Sequence, residues 1–177
     1  MIVDFRRGPC AIPDLCINGV KVERVNEYKY LGTILDSKLT FDTNTQSIHK
    51  RCQSRLFCLK KLRSLGVNES ILGNFYRCFL ESVLTFGFLC WYSGLSVRNK
   101  NVLDRVVKVS GKVVGVRQRS MHELYESRIA SKARMILCDA SHVLAKNYEL
   151  LPSGRRYRHM KASTNRAKMS LFCQQIY

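Results

Sequence analysis

Acid is scarce in this chain relative to base. Against 30 Lys and Arg stand only 13 Asp and Glu, giving a formal charge of +17 and an isoelectric point near 9.9. A surplus of that size repels itself and marks a polyanionic partner, whereas a surface tuned for solubility alone mixes both signs. The aspartates Asp4, Asp14, Asp36, Asp42, Asp104 and Asp139 include no adjacent pair and no aromatic-x-Asp-Asp box. Two-metal polymerase chemistry needs clustered carboxylates, so nothing in the spacing supports it. The residues two after His49, His122, His142 and His159 are Arg51, Leu124, Leu144 and Lys161, which removes the first half of an iron-binding facial triad. No glycine-rich turn for a nucleotide is evident. Gly111 and Gly115 in GKVVG fall within or at the end of a helical period, where packing and termination explain them. No cofactor is expected.

Metal and disulfide frameworks are missing too. The eight cysteines form no C-x2-C, and no His pair stands at finger spacing. They are expected to be mostly reduced core fillers, with Cys52 on an apolar helical stripe. Cys138 and His142 make a C-x3-H that chance produces readily on a helix. The N-terminus MIVDFRRGPC has charges where a secretory signal needs an apolar run. The uncharged stretch Ser82 to Val97 contains two glycines and falls short of the ~20 residues that a bilayer crossing takes. A buried helix is expected there, with no membrane partner and an intracellular location in nucleus or cytoplasm.

What is present reads as α+β: a small antiparallel β hairpin unit, a mainly α-helical bundle and a basic C-terminal tail, divided at 1–42, 43–150 and 151–177. Ile2, Val3 and Phe5 predict a short strand. Asn18-Gly19, between LCI and VKVERV, predicts a type I′ hairpin, because both residues tolerate positive φ. Tyr28, Tyr30 and Thr33 to Leu35 suggest one further strand with Gly32 at a bend.

From about Thr43 the period becomes helical, with Ile48, Cys52, Leu56, Leu59 and Leu62 on one stripe. Thr43 and Gln46 stand at capping-box spacing. A second helix starts at Asn68, with Ile71, Leu72, Phe75, Phe79, Leu80 and Val83 directed inward. A third spans about Arg98 to Val114. A fourth starts at a second capping box, Ser120 and Glu123, and ends near Leu137.

Three separated segments concentrate cations. Lys50, Arg51, Arg55, Lys60, Lys61 and Arg63 lie on the first helix. Seven Lys/Arg against the single Asp104 fall between Arg98 and Arg119. Arg155, Arg156, Tyr157 and Arg158 interleave an aromatic with cations in the tail. The first and last groups are the candidate nucleic-acid contacts.

Three blocks in order resemble the post-palm, thumb and C-terminal part of LINE-type (non-LTR retrotransposon) reverse transcriptases. They are MIVDFRR with INGVKVERVNEYKYLGTILD, then KRCQSRLFCLKKL with NFYRCFLESVLTFGFLCWY, then LLPSGRRYR with TNRAKMSLF. In that family a similar strand, hairpin and strand follow the metal-binding Asp-Asp box and lead to the thumb. The resemblance implies that Tyr30, Leu31 and Gly32 position a primer end. It also implies that Met1 stands where a longer frame has an internal methionine, with the catalytic palm upstream.

The first block also resembles a segment catalogued as the N-terminal domain of AlkB homologues of alkylated-DNA repair. That label would carry dioxygenase or methyltransferase activity, for which no residue here supplies chemistry. The expectation is therefore a non-catalytic binder of RNA, single-stranded DNA or an RNA–DNA hybrid. The alternatives are an AlkB-homologue N-terminal-type domain carrying that inherited label, and an inert retroelement remnant that self-associates through an unpaired sheet edge.

Overall fold

The structure, a computed structural model, describes residues 1–5, 8, 13–139, 141–145, 148–155 and 157–158. Its architecture is α+β: two separate antiparallel hairpins followed by a helical bundle. β1 (Cys16–Ile17) pairs with β2 (Val20–Lys21) around Asn18 and Gly19, whose φ angles of 50° and 77° suit the predicted type I′ turn. The strand expected at Ile2, Val3 and Phe5 does not form, because each hairpin pairs only within itself.

The expected single strand around Tyr28 to Leu35 is instead a second hairpin. β3 (Glu27–Tyr30) and β4 (Thr33–Asp36) pair with Tyr30 opposite Thr33. The two residues between them, Leu31 and Gly32, both take positive φ, at 45° and 85°. A leucine in that region is uncommon, so the turn carries no Asn-Gly signature to read. Gly32 is required twice over, because a Cβ there would stand 3.0 Å from Phe86 Cε1.

β4 is fastened to the first helix by side-chain chemistry. One Asp36 oxygen accepts from the Phe41 amide at 2.9 Å, the other from the Thr40 amide and hydroxyl at 3.0 and 3.1 Å. Buried Asn44 accepts the Ile34 amide at 3.1 Å. α1 (Asp42–Ser64) therefore starts from Phe41 in the left-handed region. The capping box expected from Thr43 and Gln46 is absent, since Thr43 lies inside the helix and its hydroxyl donates to Glu27.

Four of the five stripe residues on α1 are buried, and Leu62 packs at the edge of the core. α2 (Glu69–Phe75) starts at Asn68, whose side chain accepts the Ser70 amide at 2.8 Å. It continues through a π-helical segment (Tyr76–Glu81) into α3 (Ser82–Leu84). The wider π turn changes which face points inward. Tyr76 is fully buried, whereas Ile71 and Phe79, expected inside, are 58% and 50% exposed.

The uncharged run is not one helix. It breaks at Gly87, where φ is 59°, into α3 and α4 (Phe88–Trp91), and Trp91 donates its indole N–H to the Phe86 carbonyl at 3.1 Å. Phe88, Trp91, Tyr92 and Leu95 are all buried. No helix among the described residues is long and apolar enough to cross a membrane.

α5 (Val97–Val114) packs along α1 and buries Leu103, Val106, Val107 and Val114. Ser96 caps its start, and Gly115 at φ 97° ends it, as the GKVVG reading requires. Both halves of the Ser120–Glu123 capping box form at the start of α6 (Met121–Cys138). Cysteine behaves differently from expectation. Cys52 is buried, but Cys16, Cys58, Cys78, Cys90 and Cys138 lie on exposed positions outside the apolar stripes.

Candidate nucleic-acid interface

On α1 the six expected contact residues do not share a face. At 3.6 residues per turn, Lys50 and Lys61 lie opposite the buried stripe and about 16 Å apart along the axis. Lys60 falls on one flank, Arg51 and Arg55 on the other, and Arg63 in the last turn. Two of them bond backbone carbonyls: Arg51 Nε donates to Ser47 O at 3.4 Å, and Arg55 donates to Phe79 O in the π segment. Arg55 is half-buried and positions the π turn. Lys50, Lys60, Lys61 and Arg63 are exposed and free of ion pairs among the described residues.

The tail group is partly neutralised. Arg155 is exposed, but Arg158 pairs with Glu149 at 3.3 Å, and Tyr157 meets Tyr148 edge-on with centroids 6.0 Å apart. An isolated bridge, Leu150 to Tyr157, ties that loop together. Arg156 lies outside the described residues. Tyr30 and Leu31 stand at the tip of the second hairpin, 58% and 76% exposed, and Gly32 rests on Phe86. None of these candidates lines the two cavities beside α5 that are described below.

The cations that do line up are on α5. Arg98, Arg105, Lys108 and Lys112 fall within an arc of roughly 80°, on the side opposite Leu103, Val106 and Val114. All four are exposed and free of ion pairs among the described residues. In the sequence these residues stand out only as a charge surplus, not as a site. Their steps of seven, three and four residues are the signal that could have found them. Lys100 leaves the arc and sits 5.2 Å from the Tyr92 ring centre, while Arg128 of α6 covers Phe88 at 5.1 Å.

Beside the arc runs a groove of about 620 Å³, lined by Asp104, Val107, Lys108, Gly111, Lys112 and the loop from Gly115 to Ser120. Its shape depends on Gly111, where a Cβ would meet Val116 O at 3.2 Å and Gln118 N at 3.4 Å. Asp104 is engaged, accepting the Met121 amide at 3.0 Å. Arg117 holds Glu123 at 2.8 Å across the solvent-exposed rim. The Ser120 amide and hydroxyl, with Arg117 beside them, keep the Glu123 carboxyl below its usual range. A second cavity of about 460 Å³ adjoins it and shares Val116, Arg117 and Gln118.

No group of three His, Cys, Asp or Glu that could hold a metal ion occurs among the described residues. Burial pushes the Cys52 thiol up to about 11, so it is no thiolate at neutral pH. Cys138 ends α6, and His142 Nδ1 lies 3.1 Å from the Leu144 amide, from which it accepts.

The chain is similar to the RNA-directed DNA polymerase from the mobile element jockey of Drosophila funebris, with 26% identity over 155 residues. The match takes in 76% of this chain but 16% of that polymerase, so the chain spans a small part of the curated relative's length. No family model matches, and no solved structure matches. The likeness supports a relation to retrotransposon reverse transcriptases, and none of these comparisons supports the AlkB-type label.

Proposed function

We propose that this chain is a non-catalytic nucleic-acid-binding module related to the part of retrotransposon reverse transcriptases beyond the catalytic palm. The observation that carries the reading is the α5 arc: four exposed cations on one helix face, with no carboxylate paired to them among the described residues. Such a row meets successive phosphates, and phosphate contacts hold a strand without reading its sequence. RNA, single-stranded DNA or an RNA–DNA hybrid is the partner class. Lys50, Lys60, Lys61 and Arg63 add phosphate contacts from α1, with Arg155 from the tail. Tyr30, Leu31 and Gly32, by their likeness to a primer-positioning corner, meet the strand end.

The test is fluorescence anisotropy of a labelled RNA–DNA hybrid titrated with the folded chain at several salt concentrations. A log–log slope of about five or more denotes many phosphate contacts. No binding at low salt refutes the reading. The second reading is a self-associating remnant, and one observation favours it. All four strand residues of the first hairpin are exposed, including Ile17 at 61% and Val20 at 70%. An uncovered apolar two-stranded edge invites pairing with another copy. Sedimentation across a concentration series separates the two, because a monomer that binds nucleic acid excludes the remnant.

A further inference from the structure

The groove beside α5 has a composition the arc alone does not explain. Its lining is largely apolar, with Val107, Gly111, Gly115 and Val116, and carries three exposed cations, Lys108, Lys112 and Arg117. Its volume, about 620 Å³, lies in the range of small-ligand clefts and exceeds what one phosphate needs. The close approach of loop to helix at Gly111 keeps the loop low against the helix. The lone acid in the lining, Asp104, is already committed to the Met121 amide. The exposed Arg117–Glu123 pair is weak by nature, so Arg117 can exchange Glu123 for a phosphate.

We propose that this groove takes one unstacked base of a single strand, with its flanking phosphates on Lys108, Lys112 and Arg117. The inference rests on the nucleic-acid reading above and assigns it a subsite. An apolar slot accepts the flat face of any base, and exposed cations hold the backbone on either side. Charge complementarity favours a strand over an apolar peptide, since the lining offers three cations and the chain carries +17. The neighbouring cavity, joined through Val116, Arg117 and Gln118, provides a path for the next nucleotide.

The experiment titrates the full chain against labelled oligothymidylate about twelve nucleotides long, an abasic strand of equal length, and polyglutamate. The proteins are the wild type, Lys108→Glu/Lys112→Glu and, as a charge-matched control, Lys60→Glu/Lys61→Glu. All four substituted side chains are exposed, and superimposable melting curves verify the folds. The proposal expects oligothymidylate to bind about fivefold or more tighter than the abasic strand. It expects the α5 pair to weaken binding about tenfold more than the α1 pair, with the salt slope reduced by about one to two.

Equal affinity for the abasic strand overturns the base slot. Equal losses from both pairs overturn the subsite while leaving the nucleic-acid reading intact. A wild-type chain that binds no strand at low salt overturns both. An α5 variant that loses polyglutamate yet keeps oligothymidylate assigns the groove to an acidic peptide and also overturns the proposal.

Discussion

α1 and α5 pack against each other, both are rich in cations, and they spend those cations differently. On α1 the charges are scattered around the rod, and Arg51 and Arg55 bond carbonyls of their own fold. On α5 Arg98, Arg105, Lys108 and Lys112 share one face, and Lys108 and Lys112 also line a largely apolar groove. Charge content along the chain is therefore a poor guide to where a polyanion would sit. What counts is whether the helical period gathers the charges and whether the fold leaves them unpaired.

Beneath these two surfaces the helices share one core, and the largest expected effect lies there. Leu59 of α1 and Leu103 of α5 are both fully buried, and changing either to Ala is expected to cost about 2–5 kcal/mol in chemical denaturation. A much smaller loss at one of them would mean that the two helices do not share one core.

Arg55 comes next. Arg55→Met keeps most of the stem but removes the donor to Phe79 O, with an expected cost of about 1 kcal/mol. The salt slope of nucleic-acid binding should stay as in the wild type. A slope that drops by about one would return Arg55 to the phosphate contacts.

A smaller effect appears with acid. Burial acts to raise the Asp36 carboxyl, but the hydrogen bonds from the Thr40 and Phe41 amides and the Thr40 hydroxyl outweigh it, so the group titrates below its ordinary value of 3.8. Its contribution to stability is present above about pH 4 and is lost as pH falls through the depressed folded value. Asp36→Asn should flatten that segment of the pH–stability profile, as read by melting between about pH 5 and pH 2. An unchanged profile would show that the start of α1 does not depend on this carboxylate. The smallest effect is expected from Lys60→Glu, within about 0.5 kcal/mol of wild-type stability, since that side chain is exposed and unpaired among the described residues.

Much of the fold was legible where local chemistry decides it. Asn18-Gly19 gave the first hairpin, Asn68 the start of α2, Ser120 with Glu123 the start of α6, and GKVVG the end of α5. What escaped depends on distant partners. Leu31 accepts positive φ in the tight turn of a hairpin whose tip rests on Phe86, and Phe41 caps α1 because Asp36 holds its amide. The π segment holds Tyr76 in the core and leaves Phe79 outside, an arrangement that a regular helical period cannot anticipate.

The candidate site was legible only as composition. Lys60 and Lys61 drew attention as a run, whereas Arg105, Lys108 and Lys112 are separated in sequence and meet only on the helix surface. The groove beside them exists because the loop after Gly115 folds back over Gly111, which no local pattern announces.

The most direct test is to photocross-link a hybrid carrying halogenated bases to the folded chain and to map the modified peptides by mass spectrometry. Cross-links concentrated between Arg98 and Arg119, with few between Lys50 and Arg63, are the predicted result. Cross-links centred on Lys50 to Arg63, or spread evenly over both helices, would contradict the assignment of the nucleic-acid face to α5.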